Sequence, residues 1–556
     1  MNKIVPLQTE VLVVGAGPVG LALAGDLGRR RHECLLIDHG DGSVLQAKMD
    51  LVGIRTMEFC RRWGLVGDVE ASLYNRDYPQ DNVYLTSLNG FELGRQVMPS
   101  MRNDRPPPES PQKRERCPQN MFDPILQKFA KSQSEVQLLY GHQFLSFEQD
   151  DGGVITKVLD QTSNREIAVR SRYLVGCDGA RSAVREQLGI AMHGQGVLTH
   201  TTNVIFRCAN FNELHDKAPG YRYMFVGPEG TWGTIVALNG ADQWRMSIIG
   251  NALERRRFNE NELKAFAYKA LGREFDLELL SVLFWTRSEL VAERYRNRRV
   301  FICGDACHLT SPTGGLGMNT GIGDAIDLSW KLCANLEKWG GENLLQSYEI
   351  ERQAIAKRVT RFSTGNLRIM RDIPSCEKIL DAGPEGAEAR AIVGQALGEG
   401  LKREWFSLNM HLGNRYIDSP VCIYIEPETR ELIQAEYEDA VNYRPTSRPG
   451  CRAPHAWLPD GRSTLDLFGV GFVLLVLGAN AQEASAFEAA ATNISVPLNI
   501  ICVNDPEAIS TYEKRYVLVR PDGHVAWRSD SMPDDPTTIL ETVAGKKKVS
   551  DGTISN

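Results

Sequence analysis

The sequence predicts an α/β protein in which a βαβ nucleotide-binding fold is interrupted by an inserted antiparallel sheet and followed by a smaller α/β domain. Three observations predict this arrangement. Near the start of the chain a buried strand runs directly into a glycine-rich turn and a helix. After Gly189 the sequence changes to short β-rich segments separated by Gly, Asn and Asp, which is typical of antiparallel strands. From about Tyr443 strands and a helix alternate again.

The first element has the order strand, glycine turn, helix, strand and acid. An apolar strand over residues 11–14 leads into Gly15-x-Gly17-x-x-Gly20, and residues 21–30 form the predicted helix. In such a turn the first glycine permits the tight bend, the second lets the backbone approach a pyrophosphate, and the third lets the helix pack on the strand. Asp38 ends the next strand, where a carboxylate can accept from a ribose hydroxyl. These features predict a Rossmann-like dinucleotide site.

Bulk composition excludes several classes of protein. The chain has 556 residues, 42% hydrophobic and 24% charged, which suggests a globular protein of two or three domains. A net charge of -7 argues against a nucleic-acid partner. No apolar run has the length of a membrane span and the N-terminus has no secretory signal, so a cytoplasmic protein is expected. The twelve cysteines are scattered, which indicates reduced thiols.

Changes in composition and hydrophobic pattern along the sequence set the expected domain boundaries. We expect the first part of the nucleotide-binding domain at 1–190, the inserted antiparallel sheet at 191–290, and the second part with a helical region at 291–440. A C-terminal domain at 441–545 and a disordered tail at 546–556 should follow. The proline-rich segment 99–118 is expected to be an exposed loop.

Two further motifs follow predicted buried strands. Cys177-Asp178-Gly179 is the first, and Gly304-Asp305-Ala-x-His308-x-x-x-Pro312 is the second. The second leads into a glycine loop at 315–319 and then a helix, whose N-terminus offers N–H groups to an anion. Cys303, Cys307 and His308 lack a second cluster of ligands, so no metal is predicted and His308 is interpreted as a packed or hydrogen-bonded histidine.

Together the three motifs resemble those of the single-component flavin-dependent aromatic hydroxylases, the group that includes p-hydroxybenzoate hydroxylase and phenol hydroxylase. The resemblance covers about residues 10–370. It implies an FAD-binding domain and a monooxygenase that uses NADH or NADPH and O2 to hydroxylate a phenolic or related aromatic ring through a C4a-hydroperoxyflavin. The C-terminal unit looks like the thioredoxin-like domain of phenol-hydroxylase-type members. It lacks a C-x-x-C pair, so it should not be redox active.

The resemblance also implies roles for individual residues. Lys48 stands where many members carry arginine, and Pro312 matches a proline over the flavin ring beside the substrate. The expected FAD contacts are Gly15, Gly17, Gly20, Asp38, Lys48, Gln119, Asp178, Asp305, Gly315, Gly317, Met318 and Asn319. Asp50 aligns with an acid that faces the phenol in some members, where a carboxylate could take the phenolic proton. The alternative for Asp50 is an N-cap of the following helix.

The inserted sheet should form the wall of a substrate pocket. The candidates are Tyr221, Tyr223, Met224, Trp232 and Arg245, each of which could instead be plain core or surface. Since only one complete G-x-G-x-x-G occurs, the nicotinamide cofactor should bind transiently in a groove.

Two other functions remain open at this point. One is a tailoring oxygenase that acts on a polycyclic or heteroaromatic substrate, including Baeyer–Villiger insertion, because the same fold serves both chemistries. The other is a non-catalytic FAD-binding protein. A homodimer is also possible.

Overall fold

A computed structural model describes residues 7–44, 47–374, 377–424 and 429–547. Residues 548–556 of the expected disordered tail therefore lie outside the described residues. The strands are, in chain order, β1 (Leu7–Val14), β2 (Cys34–Asp38), β3 (Leu51–Val52), β4 (Asn82–Leu85), β5 (Glu92–Gln96), β6 (Glu115–Arg116), β7 (Val136–Tyr140), β8 (His142–Gln149), β9 (Val154–Asp160), β10 (Arg165–Gly176), β11 (Met192–Arg207), β12 (Arg222–Gly227), β13 (Gly230–Ala237), β14 (Gln243–Ile249), β15 (Glu278–Ala292), β16 (Arg296–Asn297), β17 (Val300–Ile302), β18 (His308–Leu309), β19 (Phe472–Leu477), β20 (Leu498–Val503), β21 (Tyr516–Val519) and β22 (Val525–Ser529). The helices are α1 (Pro18–Arg29), α2 (Ile54–Trp63), α3 (Val66–Glu70), α4 (Gln119–Lys131), α5 (Ala183–Gln187), α6 (Glu260–Leu271), α7 (Gly317–Leu336), α8 (Glu342–Arg371), α9 (Pro384–Trp405), α10 (Leu408–Leu412), α11 (Arg430–Glu438), α12 (Ser485–Asn493), α13 (Pro506–Tyr512) and α14 (Pro536–Val543).

The first sheet carries the predicted nucleotide-binding motifs on a single edge. Its strand order is β16-β17-β10-β1-β2-β7, with the β8–β9 hairpin attached to β10. Strands β17, β10, β1, β2 and β7 run parallel. Because parallel strands end at the same edge, the residues that follow β1, β2, β10 and β17 come together there. These residues are the glycine turn, Asp38, Asp178 and Asp305.

The second sheet is mixed and takes strands from more of the chain than expected. Its order is β18-β15-β11-β14-β13-β12-β4-β5. Strand β4 pairs parallel with β12, with Arg222 opposite Asn82, so this sheet is not purely antiparallel. Strands β4 and β5 precede the expected insert at 191–290. The four residues of β4 are all buried and show no alternation, so the sequence carried no period-2 signal for this strand.

The C-terminal unit has a four-stranded sheet in the order β20-β19-β21-β22. Strand β19 is parallel to β20 and antiparallel to β21. Its apolar side chains form a core that continues into α7, where the rings of Trp330 and Phe472 lie 5.9 Å apart. This unit therefore packs directly on the rest of the chain. Within the described ranges, no helix is long and apolar enough to cross a membrane.

The proline-rich segment 99–118 is only partly an exposed loop. Its second half is buried, including Ser110, Glu115 and Arg116. Strand β6 pairs antiparallel with β3, which places Arg116 opposite Leu51. The expectation of an exposed loop is wrong for this half because the segment gains its partners from a strand more than sixty residues earlier. The pairing brings Arg116 beside Asp50.

Candidate functional site

A cleft of about 560 Å³ opens at the edge of the first sheet, beside the glycine turn. A Cβ on Gly17 would meet no protein atom within 4 Å, so this position borders open space. A Cβ on Gly20 would lie 1.9 Å from the carbonyl oxygen of Gly15, and Gly15 itself has a φ of +105°. The turn thus leaves room for a pyrophosphate at Gly17 and needs its other two glycines for packing and backbone conformation.

Asp38 closes this turn and lines the same cleft. One carboxylate oxygen accepts from the N–H of Ala16 at 2.7 Å and the other from the N–H of Gly40 at 2.7 Å. Each carboxylate oxygen can accept a further hydrogen bond. The side chain is therefore oriented by the backbone and retains capacity for a ribose hydroxyl.

Gln119 joins Lys48 to a buried acid in the cleft. Its side-chain oxygen accepts from the N–H of Lys48 at 3.1 Å, and its side-chain nitrogen donates to Asp123 at 2.9 Å. Burial raises the pKa of Asp123 to about 7. Sequence reasoning missed Asp123, although its spacing of four residues from Gln119 on one helix was a usable signal. Lys48 lines both this cleft and the next cavity, so a ligand that extends from one to the other passes it.

The glycine loop before α7 offers backbone groups rather than side chains. Gly314 and Gly315 have φ values of +90° and +63°. The first hydrogen bond of α7 runs from the N–H of Thr320 to the carbonyl of Leu316. The N–H groups of residues 317–319 precede it and have no acceptor within the helix. Met318 packs on the core of the first sheet. This N-terminus can stabilise the negative charge of a reduced flavin.

The side chain of Asn319 is used entirely within the protein. Its oxygen accepts from the N–H of Gly53 at 2.8 Å and the hydroxyl of Thr56 at 2.7 Å. Its nitrogen donates to the carbonyls of Leu51 at 3.1 Å and Gly315 at 2.6 Å. Asn319 therefore positions the loop, and only its backbone N–H is available to a cofactor.

The two remaining acids at this edge have different surroundings. Asp178 accepts from the hydroxyl of Ser182 at 2.5 Å and the N–H of Val184 at 3.1 Å, so it shapes the turn into α5. Asp305 is exposed, and among the residues that the structure describes no donor is hydrogen-bonded to its carboxylate. His308 bonds Asp324 at 2.7 Å. The described residues contain no group of three or more His, Cys, Asp or Glu placed to hold a metal ion.

A second cavity, of about 110 Å³, lies between the mixed sheet, β3 and the loop before α7. The structure brings together here six of the predicted site residues. They are Lys48, Asp50, Tyr221, Arg245, Pro312 and Gly315. Because Lys48 and Gly315 also belong to the predicted flavin contacts, we expect a substrate in this cavity to meet the flavin ring.

Asp50 is held by three donors and does not cap a helix. The N-cap of α2 is Gly53. One oxygen of Asp50 accepts from Arg116 at 3.0 Å, and the other accepts from the hydroxyl of Tyr221 at 2.5 Å and from Arg245 at 3.3 Å. Burial alone would raise the pKa of Asp50, but Arg116 and Arg245 hold it below its usual value. Asp50 is thus ionised at neutral pH and aligned on Tyr221.

Three predicted wall residues lie away from this cavity, and their assignment is corrected. Tyr223 packs in the core on the opposite face of the sheet, and its hydroxyl accepts from the N–H of Gly220 at 2.9 Å. Trp232 stacks on Phe225, with ring centroids 5.2 Å apart, on that same face. Met224 is buried among side chains of α8 and α9. Alternation along β12 turns Tyr223 away from the face of Arg222, whereas Met224 shares that face but is covered by α8 and α9.

Sequence reasoning missed three of the five basic side chains of the cavity, Arg116, Arg222 and Arg287. Arg222 pairs with Glu404 at 3.0 Å, and Glu404 also accepts from the N–H of Gly314 at 3.0 Å. Arg287 is 6% exposed, and its Nε and Nη1 atoms are buried with no acceptor among the described residues. Burial lowers the pKa of Arg287 to about 10. Glu404 opposes this shift, whereas the positive charges of Arg222 and Arg245 lower the pKa further.

Comparison with known families agrees with this geometry. A model described as an FAD binding domain matches residues 8–363, and one described as the C-terminal domain of aromatic-ring hydroxylases matches residues 446–546. The chain belongs to the flavin-dependent aromatic hydroxylases. It is an FAD-dependent aromatic monooxygenase with the predicted α/β fold class, and the alternative of a non-catalytic FAD-binding protein is set aside.

Individual relatives span nearly the whole chain. Aklavinone 12-hydroxylase RdmE of Streptomyces purpurascens is 31% identical over 565 residues, which cover 96% of this chain and 98% of that protein. Phenol 2-monooxygenase of Pseudomonas sp. (strain EST1001) is 28% identical and covers 97% and 93%. Among solved structures, chromopyrrolic acid-soaked RebC with bound 7-carboxy-K252c superposes with a TM-score of 0.90 at 34% identity, covering 98% of this chain and 100% of that chain.

Proposed function

We propose that this monooxygenase uses NADH or NADPH and O2 to hydroxylate an aromatic substrate that carries both a phenolic hydroxyl and a carboxylate. The phenolic end lies at the pair formed by Asp50 and Tyr221, and the carboxylate lies at Arg287. The observation that carries this substrate class is the buried guanidinium of Arg287, whose Nε and Nη1 have no acceptor among the described residues.

The charge of the cavity supports an anionic substrate. Its lining contains five cationic side chains and two carboxylates. Glu404 neutralises Arg222, and Asp50 is shared by Arg116 and Arg245. Arg287 remains without a carboxylate partner among the described residues and stays protonated at neutral pH, because its lowered pKa is still about 10. A buried cation without a partner is costly, whereas a carboxylate can pair with two of its N–H groups.

The phenolic end of the substrate is handled by a short relay. When bound, FAD supplies the redox chemistry, since it takes up electrons from NAD(P)H and activates O2. The hydroxyl of Tyr221 donates to Asp50, so its oxygen is oriented to accept from a phenolic hydroxyl. Because two arginines lower the pKa of Asp50, this carboxylate is a weak base that holds the tyrosine proton rather than removing it outright. The relay polarises the phenolic O–H and increases the electron density of the ring.

Matched pairs of phenols, with and without a ring carboxylate, test the substrate class. We expect wild-type kcat/KM to be higher for the carboxylated member of each pair. Arg287→Met should lower that value by roughly 10- to 100-fold, mainly through KM, because a uniform binding contact is lost. The uncarboxylated member should be unaffected. Arg207→Met, which removes an exposed arginine of the same sheet, is the control.

The two parts of the proposal fail separately in this experiment. A wild-type enzyme that prefers uncarboxylated phenols contradicts the role of Arg287 and leaves phenol hydroxylation intact. If neither kind of phenol stimulates the oxidation of NAD(P)H by the enzyme, that result contradicts a phenolic substrate.

A tailoring oxygenase acting on a polycyclic substrate is the second candidate. It is favoured by the similarity to RebC, whose bound 7-carboxy-K252c carries a carboxyl group by its name, and to an aklavinone hydroxylase. The same Arg287 would serve such a substrate. Product connectivity, determined by NMR, distinguishes a new hydroxyl group from an inserted ring oxygen, which product mass does not.

A further inference from the structure

We propose a second anion site, which binds a phosphate group of a small molecule, in the cavity between α1, α2 and the C-terminal domain. Its ligands are Arg29, Arg55, Arg61 and Arg62. The site rests on these side chains alone and does not depend on the proposed substrate.

The cavity is remote from the cofactor cleft. It has a volume of about 290 Å³, and its wall includes Phe59 of α2 together with Leu465, Phe468 and Gly523 of the C-terminal domain. Arg29 is the last residue of α1, whereas Gly17 precedes the first. At 1.5 Å per residue the helix separates them by roughly 18 Å, so one anion cannot occupy both sites.

Both carboxylates of the cavity already have arginine partners. Glu58 accepts from Arg55 at 2.7 Å and from Arg452 at 2.9 Å. Asp466 accepts twice from Arg61, at 2.7 and 2.8 Å. These pairs leave the other two arginines of the lining without a carboxylate of their own in the cavity.

Arg29 and Arg62 carry the unbalanced charge. Arg62 donates Nη1 to the carbonyl of Pro521 at 2.9 Å and has no carboxylate partner within the described ranges. Arg29 shares Asp26 with Arg30, and its Nη2 is buried without an acceptor among the described residues. The site therefore presents both an unsatisfied donor and an uncompensated cation.

Two of the guanidinium groups converge on one backbone turn. A Cβ on Gly523 would lie 3.2 Å from Nη2 of Arg55 and 3.4 Å from Nη2 of Arg62. Burial, together with Arg29 and Arg55, lowers the pKa of Arg62 to about 9. Hydrogen bonds to the carbonyls of Asp522 and Pro521 hold the two guanidinium groups on this turn, but neutral carbonyl groups do not balance their positive charge. A bound anion would balance this charge.

The arrangement favours a phosphate over a carboxylate. A phosphate monoester has three acceptor oxygens and up to two negative charges, so it can contact guanidinium groups that approach from different elements. The apolar side chains of Phe59, Leu465 and Phe468 can accommodate the rest of a small molecule. The arginines belong to α1 and α2, whereas Leu465, Phe468 and Gly523 of the cavity wall belong to the C-terminal domain. A bound ligand would therefore contact both the FAD-binding domain and the C-terminal domain.

Pyrophosphate binding to the FAD-loaded full chain tests the site. Titration calorimetry and thermal unfolding are performed at constant ionic strength, balanced with NaCl, in an Arg287→Met background that removes the free cation of the substrate cavity. We expect one saturable pyrophosphate per chain and a rise in Tm. Arg62→Gln should weaken binding at least 10-fold and remove the rise. Arg102→Gln, which alters an exposed arginine paired with Asp77, should change neither.

Two results would overturn the proposal: the absence of saturable binding in the background enzyme, and equal affinity in Arg62→Gln. If Arg62→Gln does not fold, Arg29→Gln replaces it: this change removes the unsatisfied Nη2, and Asp26 keeps its ion pair with Arg30 at 2.8 Å. FAD absorbance is recorded throughout, so that displacement of the cofactor is recognised as binding at the other cleft.

Discussion

Asp50 accepts hydrogen bonds from one tyrosine and two arginines, and this set of partners determines how it can act on a proton. We predict that Tyr221→Phe, which keeps the charge of Asp50, still permits NAD(P)H oxidation but yields far less hydroxylated product. Hydrogen peroxide should appear in its place. Proton-handling groups contribute on the order of 10²-fold or more, so the ratio of product to NAD(P)H consumed is a sufficient measurement.

Asp50→Asn separates charge from shape at the same position. The amide can still accept from Tyr221, but Arg116 and Arg245 lose their counter-charge. The expected result is uncoupling as in Tyr221→Phe together with tighter binding of anionic phenols. Unchanged coupling in Tyr221→Phe would make Tyr221 a passive wall of the cavity.

Asp123 makes the stability of the apoprotein depend on pH. Its folded pKa is about 7, above the ordinary 3.8. Below about pH 4 the group is protonated in both states and has no effect. Between about pH 4 and pH 7 the unfolded chain has released this proton while the folded chain still holds it, so stability falls as the pH rises, by up to about 4 kcal/mol, and the loss is complete once both states are ionised above pH 7.

Asp123→Asn should remove this loss, since an amide oxygen can still accept from Gln119. Urea unfolding of both apoproteins at pH 5, 6, 7 and 8 measures the difference, in which groups common to both cancel. We expect the mutant to gain stability relative to wild type as the pH rises. A difference that is constant across the series would contradict the raised pKa.

At the scale of elements, Asn319 ties the start of α7 to β3 and to the start of α2 through three hydrogen bonds, and a fourth holds the carbonyl of Gly315 in the loop before α7. Asn319→Ala would leave the N–H of Gly53 and the carbonyl of Leu51 without these partners. We expect a loss of about 1–3 kcal/mol in the free energy of unfolding, and weaker FAD binding because the first turn of α7 loses its anchor.

The control lies on the same helix. Among the residues that the structure describes, the side chain of Asn335 donates only to the carbonyl of Lys331, at 3.2 Å, near the other end of α7. Asn335→Ala should therefore leave FAD affinity unchanged, as measured by titration of the apoprotein. Equal FAD affinity in both mutants would mean that the loop holds its conformation without Asn319.

Local signals in the sequence account for the elements that were predicted well. Helix α1 starts at Pro18 and ends at Arg29, close to the expected 21–30, because the glycines, the apolar strand and the acid lie within one short segment. Strands β4, β5 and β6 have at most five residues, and their conformation depends on partners far away in the sequence. Such strands have no local signal.

Site residues within a sequence motif could be predicted. Site residues on the inserted sheet could not, because the sequence does not show which face of a strand lines the cavity. All six residues of β12 are buried, so hydrophobicity could not tell which of its side chains face the cavity. Arg116 and Arg287 come from different elements and acquire their surroundings only in the folded chain. The sequence could not show that Arg116 would pair with Asp50, or that Nε and Nη1 of Arg287 would have no acceptor among the described residues.

At the scale of the whole molecule, buried charges join the C-terminal domain to the rest of the chain. Arg520 is fully buried and pairs with Glu351 of α8 at 2.6 Å, with Asp327 of α7 at 3.0 Å and with Asp522 at 2.7 Å. Lys331 completes this cluster through Asp327 at 2.7 Å. Removing one partner of such a buried network leaves uncompensated charge.

We predict that Arg520→Met lowers the free energy of unfolding by about 3–5 kcal/mol. Arg515→Met, in the same domain, removes an exposed pair with Glu483 and should cost less than about 1 kcal/mol. Urea unfolding compares the two. A cost below 1 kcal/mol for Arg520→Met would show that apolar contacts such as those of Trp330 and Phe472 are sufficient to dock the domain.

Both large sheets pair strands that are far apart in the sequence, and this affects how the chain folds during its synthesis. Strand β1 pairs with β10, β10 pairs with β17, and β4 pairs with β12, so each large sheet joins segments separated by more than a hundred residues. Neither sheet can close until about residue 309 has left the ribosome. Pairings of this separation form slowly, and the nascent chain exposes unpaired edges meanwhile. We therefore expect FAD to bind late in synthesis, and a supply of free cofactor during expression to increase the yield of folded enzyme.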